Sequence, residues 1–221
     1  MLIGRLAVGL AAKRQAKAVS LGTLFLAMQF LDLLWSAFLL LGREQVRIVP
    51  GITARNSFDF AFYPYSHSLV AALGWSVAFG AVYGLIRRQA GSAWVVGLAV
   101  FSHWVLDFVT HIPDLPLTIG GTTKVGLGLW RSLPATLVVE GLLFLAGVLI
   151  YARTTKARDA TGRIGLWAFV AFLLIAHLAS IKPSVPTSVE AIALGTQTVW
   201  LYILLGYGLE WHREPVGLAE S

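Results

Sequence analysis

The chain has 221 residues, of which 57% are apolar and 13% charged, whereas ordinary soluble domains carry about 25% charged residues. This balance excludes a water-soluble globular protein, and the absence of cysteine excludes disulfide frameworks and thiolate metal sites. The formal net charge is +6, but the basic residues cluster at the ends of apolar segments. Membrane topology and anionic lipids explain that pattern, so we predict no nucleic-acid partner.

The chain begins with a basic segment, residues 1–20, that contains no acidic residue. It contains no apolar region followed by a small-residue cleavage site, so we do not interpret it as a cleaved signal peptide. We therefore expect it to lie at the cytoplasmic membrane surface. A polar tail, residues 210–221, is predicted on the same side.

Six apolar blocks of about 20 residues lie between these ends, each long enough to cross a hydrocarbon core of about 30 Å. The sequence therefore predicts an all-α polytopic membrane protein, a six-helix transmembrane bundle over residues 21–209. The predicted spans are 21–41, 67–86, 92–112, 132–151, 164–181 and 189–209.

The distribution of lysine and arginine predicts the orientation of the bundle. These residues are more numerous in the segments on the side of the termini than in the loops on the other side. The positive-inside rule places the richer side in the cytoplasm. Both termini are then cytoplasmic, and the loops 42–66, 113–131 and 182–188 face outward.

The spans contain ionisable side chains that a lipid environment disfavours. Asp32, His103 and Glu140 each lie nine residues from the outer end of their span, about 14 Å deep by helical rise. Asp107 and His177 lie at shallower depths on the same outer half. Because an isolated charge in lipid is costly, we expect these groups to face one another around a polar cavity that opens outward.

The densest group of such residues lies in residues 101–116. His103, Asp107 and His111 follow one another at intervals of four residues, so they share one helical face. Imidazole nitrogens and a carboxylate oxygen arranged in this way can bind one divalent ion. The alternative is that they form hydrogen bonds that hold neighbouring helices together.

Three short motifs occur in a fixed order over residues 28–116: an aspartate in the first span, Ser66-His67-Ser68-Leu69, and Ser102-His103 followed by Asp107. Together they resemble the bacterial inner-membrane metal-dependent hydrolases described as the LexA-binding, inner-membrane-associated group. The resemblance implies a location in the bacterial inner membrane and a hydrolytic activity. It also implies a metal site formed by Asp32, His67, His103 and Asp107.

Further side chains are candidates for parts of the same site. Glu140 is the candidate general base. Lys124 and Arg131, on the predicted outer side, are candidates for binding an anionic substrate. Additional candidates for the metal site are His111, Asp114 and His177.

The function predicted from these residues is metal-dependent hydrolysis of a lipid, or of a lipid-linked phosphate or ester, at the extracytoplasmic side. Zinc is the first choice of cofactor, with manganese and magnesium as alternatives, and membrane lipids are the expected partners. A proton- or ion-coupled transporter is one alternative, since chains of Asp, Glu and His serve as proton relays. A scaffold whose polar core only fixes helix packing is another.

Overall fold

The computed structural model describes residues 1–181 and 185–217. Within them, six helical segments are long and apolar enough to cross a membrane, the sixth formed by two consecutive helices over Val189–Trp211, which confirms the predicted fold class. Lys182 and Pro183 of the predicted outer loop lie outside the described residues, as do residues 218–221 of the predicted tail. In chain order the helices are α1 (Leu2–Ala12), α2 (Leu21–Leu40), α3 (Pro64–His67), α4 (Leu69–Arg87), α5 (Ala90–Thr110), α6 (Leu133–Thr154), α7 (Ala160–Ala179), α8 (Val189–Thr196) and α9 (Val199–Trp211).

The second and third spans are shorter than predicted at their outer ends. Helix α4 begins after Ser68, whose Oγ accepts a hydrogen bond from the Ala71 amide at 3.1 Å and caps the helix. Helix α5 ends at Thr110, and the residue before Pro113 is disfavoured in a helix. His67 and the residue after Thr110 therefore lie in connecting segments and not in the spans.

The sixth span, predicted as one continuous helix, is broken between α8 and α9 at residues 197–198. The Gln197 side chain at the break donates from Nε2 to the Ser36 hydroxyl on α2. Its Oε1 accepts a hydrogen bond from the Trp200 indole at 3.0 Å. The hydrogen bond from Gln197 thus attaches this span to α2 at the break.

Short antiparallel strand pairs form in the loops. The pair β5–β6 joins the segment that follows α6 to the segment that follows α9, so these two segments lie at the same end of the bundle. The other two pairs form in the long loops after α2 and α5. The strands are β1 (Gln45–Ile48) with β2 (Phe58–Phe62), β3 (Leu115–Pro116) with β4 (Lys124–Val125), and β5 (Thr155–Ala157) with β6 (Arg213–Pro215).

Helix α1 lies inside the bundle, which differs from the expected surface segment. Ile3, Leu6 and Leu10 are at most 1% exposed, and the helix packs against α2, α5 and α6. Its sequence is almost entirely apolar, so burial of this face outweighs the basic residues that follow it. A Cβ atom at Gly147 of α6 would lie 2.4 Å from the Ala7 carbonyl oxygen, so the glycine permits the close approach of the two helices.

Candidate metal centre

Helices α2 and α5 bring three of the predicted ligands together. His103 and Asp107 lie one turn apart on α5, and both are fully buried. The Nδ1 atom of His103 lies 2.6 Å from the Met28 carbonyl oxygen, one turn before Asp32 on α2. This hydrogen bond aligns the two helices so that Asp32 faces the pair on α5.

Helix α3 supplies His67, and a buried carboxylate orients it. The amide and the hydroxyl of Ser66 both donate to Glu44, at 2.8 and 2.6 Å. The Ser66 oxygen therefore accepts from His67 Nδ1, which lies 2.7 Å away. Burial lowers the pKa of His67, so its imidazole is neutral near pH 7. With its proton on Nδ1, the ring carries a free lone pair on Nε2.

His103 has the same tautomer for a similar reason. The carbonyl oxygen of Met28 can only accept, so a neutral His103 keeps its proton on Nδ1 and has a lone pair on Nε2. Over residues 1–181 and 185–217, neither His103 Nε2 nor Asp107 Oδ2 has a hydrogen-bond partner. Buried polar atoms rarely lack a hydrogen-bond partner, so these two atoms indicate a position where an ion or another group binds.

Three ligand atoms, from Asp32, His67 and His103, have the spacing of a metal site, and Asp107 Oδ2 lies beside the two imidazoles. His103 Nε2 lies 3.4 Å from Asp32 Oδ1 and 3.3 Å from Asp107 Oδ2, and the corresponding distances from His67 Nε2 are 3.5 and 3.6 Å. Two ligands about 2.0–2.1 Å from a zinc ion at the tetrahedral angle are about 3.3–3.4 Å apart. The ligand atoms of Asp32, His67 and His103 also lie within 4.8 Å of one another. These residues can therefore hold a divalent ion, and they fit the predicted metal.

Arg5 of α1 binds the remaining carboxylate oxygens. Its Nη1 donates to Asp32 Oδ2, and its Nη2 donates to Asp107 Oδ1 at 2.5 Å. Burial disfavours the charge on Arg5, but Asp107 and Asp32 outweigh that effect and raise its pKa. The sequence reasoning missed this residue and treated it as a surface charge. The available signal was a lone arginine within eleven otherwise apolar helical residues.

The cluster forms part of the wall of a cavity of about 260 Å³. Arg55 lines this cavity and is held by Ser180, whose carbonyl and hydroxyl oxygens accept from the guanidinium at 2.7 and 2.9 Å. The loop between α2 and α3 thus contributes to the cavity. The aromatic part of the lining is formed by Trp35, Phe58, Phe60 and Trp130.

His111 and Asp114 form a separate pair beside the cluster. His111 Nδ1 lies 2.9 Å from Asp114 Oδ1, and the Tyr63 hydroxyl donates to the same oxygen at 3.3 Å. Burial raises the pKa of Tyr63 well above its usual value, so the phenol remains a donor. The His111 ring packs against Trp130, with 4.4 Å between the ring centroids, and lines the cavity.

Glu140 and His177 face each other elsewhere in the bundle. The distance from Glu140 Oε2 to His177 Nδ1 is 3.9 Å, which is too long for a hydrogen bond. Neither residue belongs to the described lining of the cavity. Helical rise predicts their depth along the helices, but it does not predict the helix face on which they lie. The roles assigned to them stay predictions.

Lys124 and Arg131 lie apart from the cavity wall. Lys124 is exposed, and its Nζ donates to the Ala61 carbonyl oxygen at 3.3 Å. Arg131 is exposed at the end of a short 3₁₀ helix, Leu129–Arg131. Among the residues that the structure describes, the arginines that line the cavity are Arg5 and Arg55. The predicted substrate contacts of Lys124 and Arg131 stay predictions.

Comparisons with protein-family models, with curated proteins and with solved structures find no match for this chain. The resemblance to the inner-membrane hydrolases therefore stays a prediction from the motifs. What the structure establishes is a membrane-type helical bundle that contains a possible metal-binding cluster.

Proposed function

We propose that the protein is a membrane-embedded, metal-dependent hydrolase of a lipid or a lipid-linked phosphate or ester. The observation that carries this proposal is the grouping of ligand atoms from Asp32, His67 and His103 within 4.8 Å of one another. Asp107 lies beside them, 3.3 Å from His103 and 3.6 Å from His67, and the group adjoins the wall of a cavity. The order of the three sequence motifs supports the same activity. Zinc is the proposed ion, with manganese or magnesium as alternatives.

A divalent ion bound at this cluster would generate a nucleophilic water near neutral pH and polarise the scissile group. The chain supplies two carboxylate oxygens and two imidazole nitrogens as ligands. Glu44, acting through Ser66, fixes the orientation of His67. The Met28 carbonyl oxygen does the same for His103. Partners of this kind hold ligands in the geometry that the ion requires.

The cavity favours an anionic head group as substrate. Arg5 and Arg55 both line it, and guanidinium groups bind phosphate oxygens well. Its volume of about 260 Å³ is smaller than the roughly 300–1,000 Å³ of typical small-molecule sites. The cavity thus accommodates a head group, and the acyl chains of a lipid substrate would remain in the bilayer.

Glu140 is retained as the proposed general base. It is fully buried, and in the described part of the chain neither of its carboxylate oxygens has a hydrogen-bond partner. A buried carboxylate without hydrogen-bond partners is available to accept a proton.

Elemental analysis of protein purified in detergent without chelators tests the proposal. We expect a stoichiometric divalent ion, which His103→Ala and Asp107→Ala each remove. Hydrolysis of phosphate or ester lipids in vesicles should depend on that ion. A wild-type protein without metal would contradict the proposal, and proton-coupled uptake by such a protein would support the transporter alternative.

Reporter fusions test the proposed side of the membrane. We expect alkaline phosphatase to be active when fused after Thr123 and inactive when fused after Lys156. The opposite result would place the cavity at the cytoplasmic side and the termini outside. That outcome would change the accessible substrates but not the metal centre.

A further inference from the structure

In each aspartate of the cluster, the two carboxylate oxygens have different partners. Asp32 Oδ1 and Asp107 Oδ2 face the imidazole nitrogens, whereas Asp32 Oδ2 and Asp107 Oδ1 bind Arg5. Each carboxylate therefore bridges the metal position and a guanidinium. In two-metal hydrolases the ions lie about 3.5–4 Å apart and clamp the reacting oxygens between them.

We infer that Arg5 takes the place of a second metal ion, so that this centre holds one divalent ion and one permanent guanidinium cation. The inference rests on the proposed metal-dependent function. It assigns to Arg5 the second positive charge that a dinuclear centre would obtain from its second ion. The guanidinium suits this place because its planar fork can donate to two carboxylates at once, which a lysine ammonium does less well.

The charges of the cluster agree with this assignment. The two carboxylates and Arg5 leave one excess negative charge when both imidazoles are neutral. One divalent ion changes that excess to a single positive charge, which favours an anionic head group in the adjoining cavity. A second divalent ion beside Arg5 would add like charge in a buried site, where repulsion is weakly screened.

The packing of α1 keeps the guanidinium in place. Arg5 is 6% exposed, and its helix is held against α6 by the close approach at Gly147. Neighbouring α1 residues on both sides of Arg5, such as Ile3 and Leu6, are fully buried. The buried position of α1 therefore keeps the Arg5 side chain beside the two carboxylates.

Counting bound ions in Arg5 variants tests the inference. Wild type, Arg5→Ala and Arg5→Lys would be purified in detergent with Mn²⁺ and then analysed for manganese per chain and by electron paramagnetic resonance. Lys13→Ala is the matched control, because it removes the other buried cation of the same segment. We expect one isolated Mn²⁺ in the wild type, in Arg5→Lys and in Lys13→Ala. We expect two spin-coupled Mn²⁺ ions in Arg5→Ala, where the space and both carboxylate oxygens become free.

The outcomes separate this inference from the proposed function. Two ions in the wild type, or a single ion in Arg5→Ala, would overturn the role of Arg5 and leave a metal-dependent hydrolase standing. A wild-type protein that binds no ion would overturn both. If Arg5→Ala does not fold, Arg5→Gln removes the charge at similar length, and the same count decides the question.

Discussion

The two ends of α1 both place a buried basic residue against acidic partners, but they differ in how completely the polar atoms are paired. Lys13 donates to the Val19 carbonyl oxygen at 2.7 Å and to Glu210. The second oxygen of Glu210 accepts from the Leu21 amide at 3.2 Å. At the other end, Arg5 is paired with its two aspartates, yet these aspartates also face the Nε2 atoms of two histidines.

This difference shows what distinguishes a structural ion pair from a binding site inside a membrane protein. Both groups are buried and charged, so neither burial nor charge separates them. At the Lys13 end, hydrogen bonds account for the charged atoms, and the pair holds α1 to the segments around it. At the Arg5 end, His103 Nε2 and Asp107 Oδ2 have no hydrogen-bond partner in the described part of the chain, which is an arrangement that a bound ion would complete.

Asp107→Asn should have the largest effect on the Arg5 end of α1, because Asp107 is both a proposed metal ligand and a partner of Arg5. We expect loss of the bound ion and a decrease of about 3–5 kcal/mol in stability, as is typical when one partner of a buried ion pair is removed. Elemental analysis and thermal unfolding in detergent, with and without Mn²⁺, measure both effects. An ion retained at wild-type affinity would remove Asp107 from the ligand set.

Glu44→Gln should lower the affinity for the metal ion without removing a ligand. An amide leaves the Ser66 hydroxyl free to donate to His67 Nδ1, which favours the tautomer whose Nε2 carries a proton. Loss of such a supporting group typically costs about 10–100-fold in metal affinity. Titration against a competing chelator measures the change. Unaltered affinity would show that Glu44 only anchors its loop.

Glu140→Gln should leave the bound ion in place, since Glu140 contributes no ligand atom to the four-residue cluster. We expect hydrolysis to be lost, because an amide cannot accept the proton that a general base removes. Thermal stability should change by about 0.6–2 kcal/mol, the range for polar contacts between membrane helices. Turnover at the wild-type rate would exclude Glu140 as the base.

Glu210→Gln should have the smallest effect on the centre, with metal content and turnover unchanged. Burial already lowers the pKa of Lys13, and without Glu210 its amine can become neutral instead of remaining an unpaired charge. We expect a stability loss of about 1–3 kcal/mol from the incompletely paired group. A loss of bound metal in this variant would mean that the two ends of α1 are not independent.

Much of the fold and of the ligand set follows from local patterns in the sequence. Apolar block length predicts the spans, and the four-residue spacing of His103 and Asp107 predicts their common face. Arg5 could not be placed in this way, because a short apolar helix gives no indication of whether it lies on the bundle or within it. Glu44 contacts a residue 22 positions away, and only the folded loop brings the two together.

The buried position of α1 has a consequence for the order of membrane assembly. This helix precedes α2, α5 and α6 in the chain, yet it packs between them. Its docking position is therefore complete only after residue 154 has been inserted. Until Asp107 enters the bilayer, Arg5 has only part of its neutralising environment, and an unpaired guanidinium in hydrocarbon is costly. Docking of this early segment is thus a late, long-range step, and it is the step that brings Arg5 to the two aspartates.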